Sequence, residues 1–194
     1  MRHTGIILFL CLLGAFLVAG RAPAAATDDA AILCYRGSEG FMLNAPVGWG
    51  NLRQTAGELG LCAVLSPDVS GFHEAPAMIY QRVAEKGVGA EPIEELVANS
   101  FKRFLAAPGG EKARLRRGGD VVSENGLVFE LRYLDEGPTS NEYDLIACHE
   151  GKDSIFLVVL TARSPEYRER YLPDFMRTLK SVKAYEVAGT TGGN

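Results

Sequence analysis

Cys148 stands directly before His149, and a thiol beside an imidazole is the pairing from which a cysteine nucleophile and its general base are made. The surrounding run from Glu142 to His149 reads as a strand, however, and neighbouring strand side chains point to opposite faces, so the pair is parted and Cys148 becomes a structural cysteine. Histidine-acid neighbours occur at His73-Glu74 and His149-Glu150. Neither has the second histidine four residues on that a helical zinc site requires, and both fall in expected loops or strand ends. Glu91, Glu94 and Glu95 cluster at an expected helix start, where solvation and the helix dipole account for them. No serine sits in a Gly-x-Ser-x-Gly elbow, and no glycine-rich loop leads into Lys-Ser or Lys-Thr, so Gly109-Gly110 and Gly118-Gly119 are read as turns. The expectation is a chain that is not an enzyme, with no catalytic residue, no cofactor and no metal.

One local charge feature stands out at Lys112, Arg114, Arg116 and Arg117. On a strand from Lys112 to Val122 the first three share a face. A solvated edge strand kept from aggregating by its charge is one reading, and a surface for an anionic ligand or partner is the other.

The elements that would position these groups begin after an export signal. Arg2 precedes an apolar run from Ile6 to Val18, and Ala24-Ala25-Ala26 supplies the small residues of a cleavage site, so residues 1–26 are read as a signal peptide. A retained anchor is the alternative, but the run is shorter than the roughly 18 residues that cross a bilayer. Cys11 lies inside the apolar run and lacks the preceding small residues of a lipid-attachment site. The mature chain is expected to be periplasmic or extracellular, touching a membrane only through an uncleaved signal peptide. Cleavage leaves 18 basic against 24 acidic residues, a net charge of −6, which suits nucleic acid poorly. It also leaves Cys34, Cys62 and Cys148, so at most one internal disulfide forms and one thiol is left over. Cys34 with Cys62 is preferred because both lie in the N-terminal strand group, and pairs containing Cys148 stay open.

Residues 27–185 read as one domain, followed by a glycine-rich tail at 186–194. Gly40 to Ala45, Leu61 to Leu65 and Ala77 to Tyr80 are short apolar strands; Pro46 to Gly48 turns the chain and leaves Trp49 beside the core, with a loop after it. Pro92 opens a helix with Ile93, Leu96, Val97, Phe101, Phe104 and Leu105 on one face, closed by Pro108-Gly109-Gly110. After the strand from Lys112, Asn125-Gly126 signals a hairpin into Leu127, Phe129, Leu131 and Tyr133, which alternate with wet Glu130 and Arg132. Glu136-Gly137-Pro138 turns into the strand at Glu142, and Glu150 to Asp153 form a further hairpin. Ile155 to Leu160 is too continuously apolar for a half-wet strand and belongs in the middle of the sheet. Ser164 caps and Pro165 opens a closing helix, which Pro173 should bend or restart. One antiparallel sheet is expected, with Phe156, Val158, Phe129, Phe101, Phe104, Phe175 and Leu179 as the core.

Gly40-Phe41-Met42-Leu43, Pro46-x-Gly48-Trp49, the Ile93 to Leu105 helix, Leu160-Thr161-Ala162 and Leu179-x-Ser181-Val182 together resemble the PsbP-like family over nearly all of the mature chain. The resemblance implies an α+β fold, an α/β/α sandwich around an antiparallel sheet, usually without enzymatic activity. It carries over no catalytic residue. The photosystem role after which the family is named is not transferred, because the amino terminus reads as a plain export signal rather than a plastid transit peptide. What it leaves is a non-catalytic, exported domain that binds a partner, another envelope protein, and assists assembly or maintenance of an envelope complex. The alternative is a small-molecule or lipid carrier, which would need an apolar pocket of a few hundred Å³ between sheet and helix.

Overall fold

The computed structural model describes residues 31–68, 74–86, 92–136 and 142–186. The expected signal peptide, His73, Glu91, the Gly137-Pro138 turn and the tail beyond Glu186 lie outside them. In chain order the elements are β1 (Ala31–Arg36), β2 (Glu39–Asn44), β3 (Gly50–Asn51), α1 (Arg53–Leu59), β4 (Ala63–Ser66), β5 (Ala77–Glu85), α2 (Pro92–Ala106), β6 (Arg114–Val122), β7 (Val128–Asp135), β8 (Tyr143–Glu150), β9 (Ser154–Ala162), α3 (Pro165–Lys180) and β10 (Lys183–Glu186).

The unbroken apolar run Ile155 to Leu160 needs cover on both faces, and β9 has it: it is the fourth of seven antiparallel strands in the order β3-β4-β5-β9-β8-β7-β6. Phe156, Val158 and Leu160 point to one face with Phe129, Leu145 and Phe175; Ile155, Leu157 and Val159 point to the other with Ile93, Val97 and Ile146. Helix α2 covers the second face. The first lies under α3 and under a second, three-stranded sheet in the order β1-β2-β10. Phe41 of β2 stacks on Phe156 of β9 at 4.4 Å, which ties the two sheets together.

Two sheets therefore replace the single sheet expected, since the N-terminal strands divide between them. The main sheet is also covered on both faces as far out as β7, so Arg132 and Leu134 are buried where a wet face was expected. Phe101 and Phe104 are not core residues: only Pro92, Ile93 and Val97 of α2 are buried, and its carboxyl half stands half-open. The loop expected after Trp49 contains β3 and the short helix α1.

Ser164 caps α3, its hydroxyl accepting from the Tyr167 amide at 3.3 Å, with Pro165 in the first turn. The helix does not restart at Pro173. That residue is exposed, so the carbonyl its ring leaves unpaired is on the side that water reaches. Gly126 adopts φ 84°, the left-handed conformation that lets the β6–β7 connection turn tightly.

The two sheets are held by two further devices. Cys34 of β1 is bonded to Cys62, which precedes β4, closing a sequence separation of 28. A loop of that length implies roughly 3–4 kcal/mol of stabilisation. Reduction, or a Cys34→Ala/Cys62→Ala variant, is expected to lower the urea midpoint correspondingly, and an unchanged midpoint would show that the bond constrains nothing. The second device is Glu39, whose carboxylate accepts from the backbone N–H groups of Lys152 at 2.5 Å and Asp153 at 2.9 Å and from the Ser154 hydroxyl at 2.7 Å. Partial burial pushes its pKa up, but these donors outweigh that and hold it below the ordinary glutamate value. A depressed carboxylate stabilises the fold above its unfolded pKa, roughly 4.3, and loses that contribution as pH falls through the folded value. Glu39→Gln is thus expected to cost about 1 kcal/mol at pH 7, with the two thermal midpoints converging in acid.

Candidate partner-binding surface

Strand β6 ends the main sheet, and its sequence Arg-Leu-Arg-Arg brings three guanidinium groups to the edge. Register with β7 sets Arg116 opposite Tyr133 and Arg117 opposite Arg132. Arg114 and Arg116 consequently share the α3 face of the sheet and Arg117 takes the α2 face. Lys112 does not join them, so of the three residues expected on one face, Lys112, Arg114 and Arg116, only the two arginines share it. Gly110 packs so closely on the Phe104 carbonyl that a Cβ there would sit 1.7 Å from it, and the chain winds through a 3₁₀ turn at Gly110–Lys112 before the strand begins.

On the α3 face Arg116 is stacked and clamped. The Arg116 guanidinium lies 3.8 Å from the centre of the Tyr133 ring and 3.3 Å from the Asp135 carboxylate. Asp135 also accepts from Arg168, a buried α3 residue whose guanidinium lies 5.4 Å from Tyr133 and 5.9 Å from Tyr143. Two arginines, two tyrosines and one carboxylate thus form a fixed group, and a desolvated cation over a ring adds to its rigidity.

On the α2 face Arg117 reaches Glu130 at 3.3 Å. Glu130 is 2.9 Å from Arg132, which is also paired with Glu94 of α2. Burial pulls the Arg132 pKa down, but the Glu130 hydrogen bond and the Glu94 charge more than offset it, leaving the group above the ordinary arginine value. Glu94 therefore does more than solvate a helix start: it supplies the counter-charge for a buried cation.

The other groups that could do chemistry are kept apart. Cys148 is buried on the α2 face, and burial pushes its thiol up to about 12. His149 turns to the opposite face, its Nδ1 2.9 Å from the Val128 carbonyl and its ring 5.4 Å from Phe129. Among the described residues no three histidine, cysteine or acidic side chains come together to hold a metal. Asp144 is buried, and that burial raises its pKa to about 7, against a hydrogen bond from Thr161. Tyr80 lies near enough for the Asp144 charge to add to the burial that raises its own pKa. Neither lines the apolar crevice under α2, which is bounded by Leu96, Phe101, Phe104, Leu115, Ile146 and Leu157 among others. That crevice spans about 370 Å³ with its solvent mouth included, but its cavity volume is only about 20 Å³. A space of that size admits about one water and no metabolite or acyl chain.

Arg168, Arg132 and Asp144 gave no local signal in the sequence, since each is a polar residue in an alternating or helical pattern whose polar side is normally wet. The signal available was indirect, in that α2 needs a sheet face to dock on and so dries whatever lies beneath it.

No family model matches the chain, and no curated protein matches it in sequence. Among solved structures it is similar to cyanobacterial PsbP (CyanoP) from Synechocystis sp. PCC 6803, with a TM-score of 0.51 and 10% identity, covering 87% of this chain and 99% of that one. It is also similar to the Ran-binding protein Mog1p of Saccharomyces cerevisiae, with a TM-score of 0.45 and 9% identity over 81% of this chain and 96% of that one. The CyanoP likeness, with the two antiparallel sheets and three helices, gives the chain the α+β PsbP-like fold that the sequence pointed to.

Proposed function

We propose that this chain is an exported, non-catalytic domain that binds another envelope protein and assists assembly or maintenance of an envelope complex. The observation that carries the reading is the β6 edge, where Arg116 and Arg117 stand exposed on a frame of Tyr133, Asp135, Arg168 and Glu130, with Arg114 exposed beside them. Exposed arginines held by aromatic and acidic neighbours suit recognition of a complementary surface. The apolar run in residues 1–26 and the alanines that follow support export, and mature residues 27–185 would form the binding domain. A carrier finds less support: the crevice under α2 is far smaller than a ligand requires, and the larger space of about 430 Å³ bounded by Ile32, Leu33, Arg53 and Cys62 is open and mostly polar rather than the apolar pocket a carrier needs.

Affinity capture of the mature protein from its own envelope fraction, with mass spectrometry of proteins and lipids together, tests this. The expected result is one or a few enriched proteins, released by salt. Recovery of a lipid or metabolite near one-to-one, with no protein enriched, would overturn the reading.

A further inference from the structure

A strand at the end of a sheet turns half of its N–H and C=O groups away from its one neighbour, and β6 pairs with β7 and with no other strand among the described residues. Its ladder with β7 is regular over Arg114 to Arg117 and shifts register between Arg117 and Asp120. A regular four-residue edge is therefore presented before the irregularity. Over that stretch the side chains of Arg116 and Arg117 are more than half exposed, at 55% and 63%. Arg114 is exposed as well, and no carboxylate among the described residues pairs with it.

We propose that β6 accepts an extended acidic segment of a partner protein as an eighth strand, backbone to backbone, with carboxylates meeting Arg114 and Arg116 on one face and Arg117 on the other. This rests on the partner-binding reading and names the partner's chemistry. An anionic membrane is the weaker match, because a flat surface meets one face of a sheet while the arginines occupy both. A strand laid along the edge places successive residues on alternate faces, so a short run of consecutive acidic residues reaches all three cations. Asp135 and Glu130 already pair with Arg116 and Arg117, so the incoming carboxylates share those cations and find Arg114 unshared.

The test is fluorescence anisotropy with three probes: a labelled peptide carrying four consecutive glutamates between threonines, the same peptide N-methylated at alternate backbone nitrogens, and vesicles of mixed phosphatidylglycerol and phosphatidylcholine. N-methylation keeps the charge and removes the donors for strand pairing. The wild-type mature protein is expected to bind the unmodified peptide, with about tenfold weaker binding on methylation and about tenfold weaker binding in Arg114→Glu/Arg117→Glu. Arg116 is left intact because it packs on Tyr133, and a thermal melt confirms that the double variant is folded. Equal binding of the two peptides, indifference to the double variant, or binding to vesicles but not to peptide would each overturn the proposal. So would no binding at all. Envelope capture that yields the same partner with wild type and double variant would overturn the edge while leaving partner binding intact.

Discussion

Asp144→Asn is expected to be more stable than wild type at pH 8 by about 2–4 kcal/mol, and to remove a pH dependence that wild type shows between roughly pH 4 and 7. The carboxyl lies on β8 at 4% exposure, with its pKa raised to about 7 chiefly by burial. A raised carboxyl keeps its proton in the folded state while the unfolded chain has already released it. Its stabilising contribution is thus complete below the unfolded value, roughly 3.9, and is lost as pH rises through the folded one, at up to about 1.4 kcal/mol per unit. The charged neighbours are Glu142, which opposes ionisation, Arg168, which favours it, and Tyr80, whose hydroxyl is itself held neutral. Asparagine keeps the shape and an acceptor for Thr161 and cannot ionise. Urea titrations of both proteins from pH 4 to 8 check this, and parallel curves would show that Asp144 is not the titrating group.

Val158→Asp is expected to cost more than about 4 kcal/mol and leave little folded protein at room temperature. Val158 is fully buried in β9, opposite Gln81 on one side and Ala147 on the other. Its neighbours on its own face are Phe129, Leu145 and Phe175, and the nearest strand arginine, Arg82 of β5 opposite Leu157, falls on the other face of the sheet. Val158→Thr, equal in shape but with a hydroxyl, should lose about 1–3 kcal/mol. A charged variant that melts with the wild type would mean that β9 is not the centre of the core.

What the sequence made legible was whatever announces itself through apolar pattern or through a residue with one structural use. The continuous run at Ile155 to Leu160 could only be a strand covered twice, and Ser164-Pro165 could hardly be other than a helix start. Phe129 followed from alternation and Phe156 from its place in that run. The small sheet was hidden because β1 offers only Ile32 and Cys34 inward while Leu33 and Tyr35 face out, and β10 is four residues long. Neither length nor hydropathy separates such strands from loops. Buried Arg132, Arg168 and Gln81 were hidden for a different reason: residue type argues for water, and only the tertiary layers decide otherwise. Of the proposed binding surface, Arg114 and Arg116 could be placed from the strand period, whereas the frame of Arg116, with Tyr133 and Asp135 from β7 and Arg168 from α3, is assembled from separate elements and has no local signature.

The small sheet also determines how the domain would carry a load. Its outer strands β1 and β10 both run antiparallel to β2, so Ala31 sits level with Asn44 while Glu186 sits level with Glu39 at the opposite end. Tension between those two points runs along the strands and must shear whole ladders at once rather than peel them bond by bond. Tension entering at Ala31 meets Cys34 after three residues and passes through its sulfur to Cys62 beside the main sheet, bypassing β2 and α1. The 28 residue steps between the cysteines cannot lengthen while that bond holds, which withholds roughly 95 Å of contour. Pulled at Ala31 and Glu186, the oxidised domain should yield a correspondingly shorter extension than the reduced one.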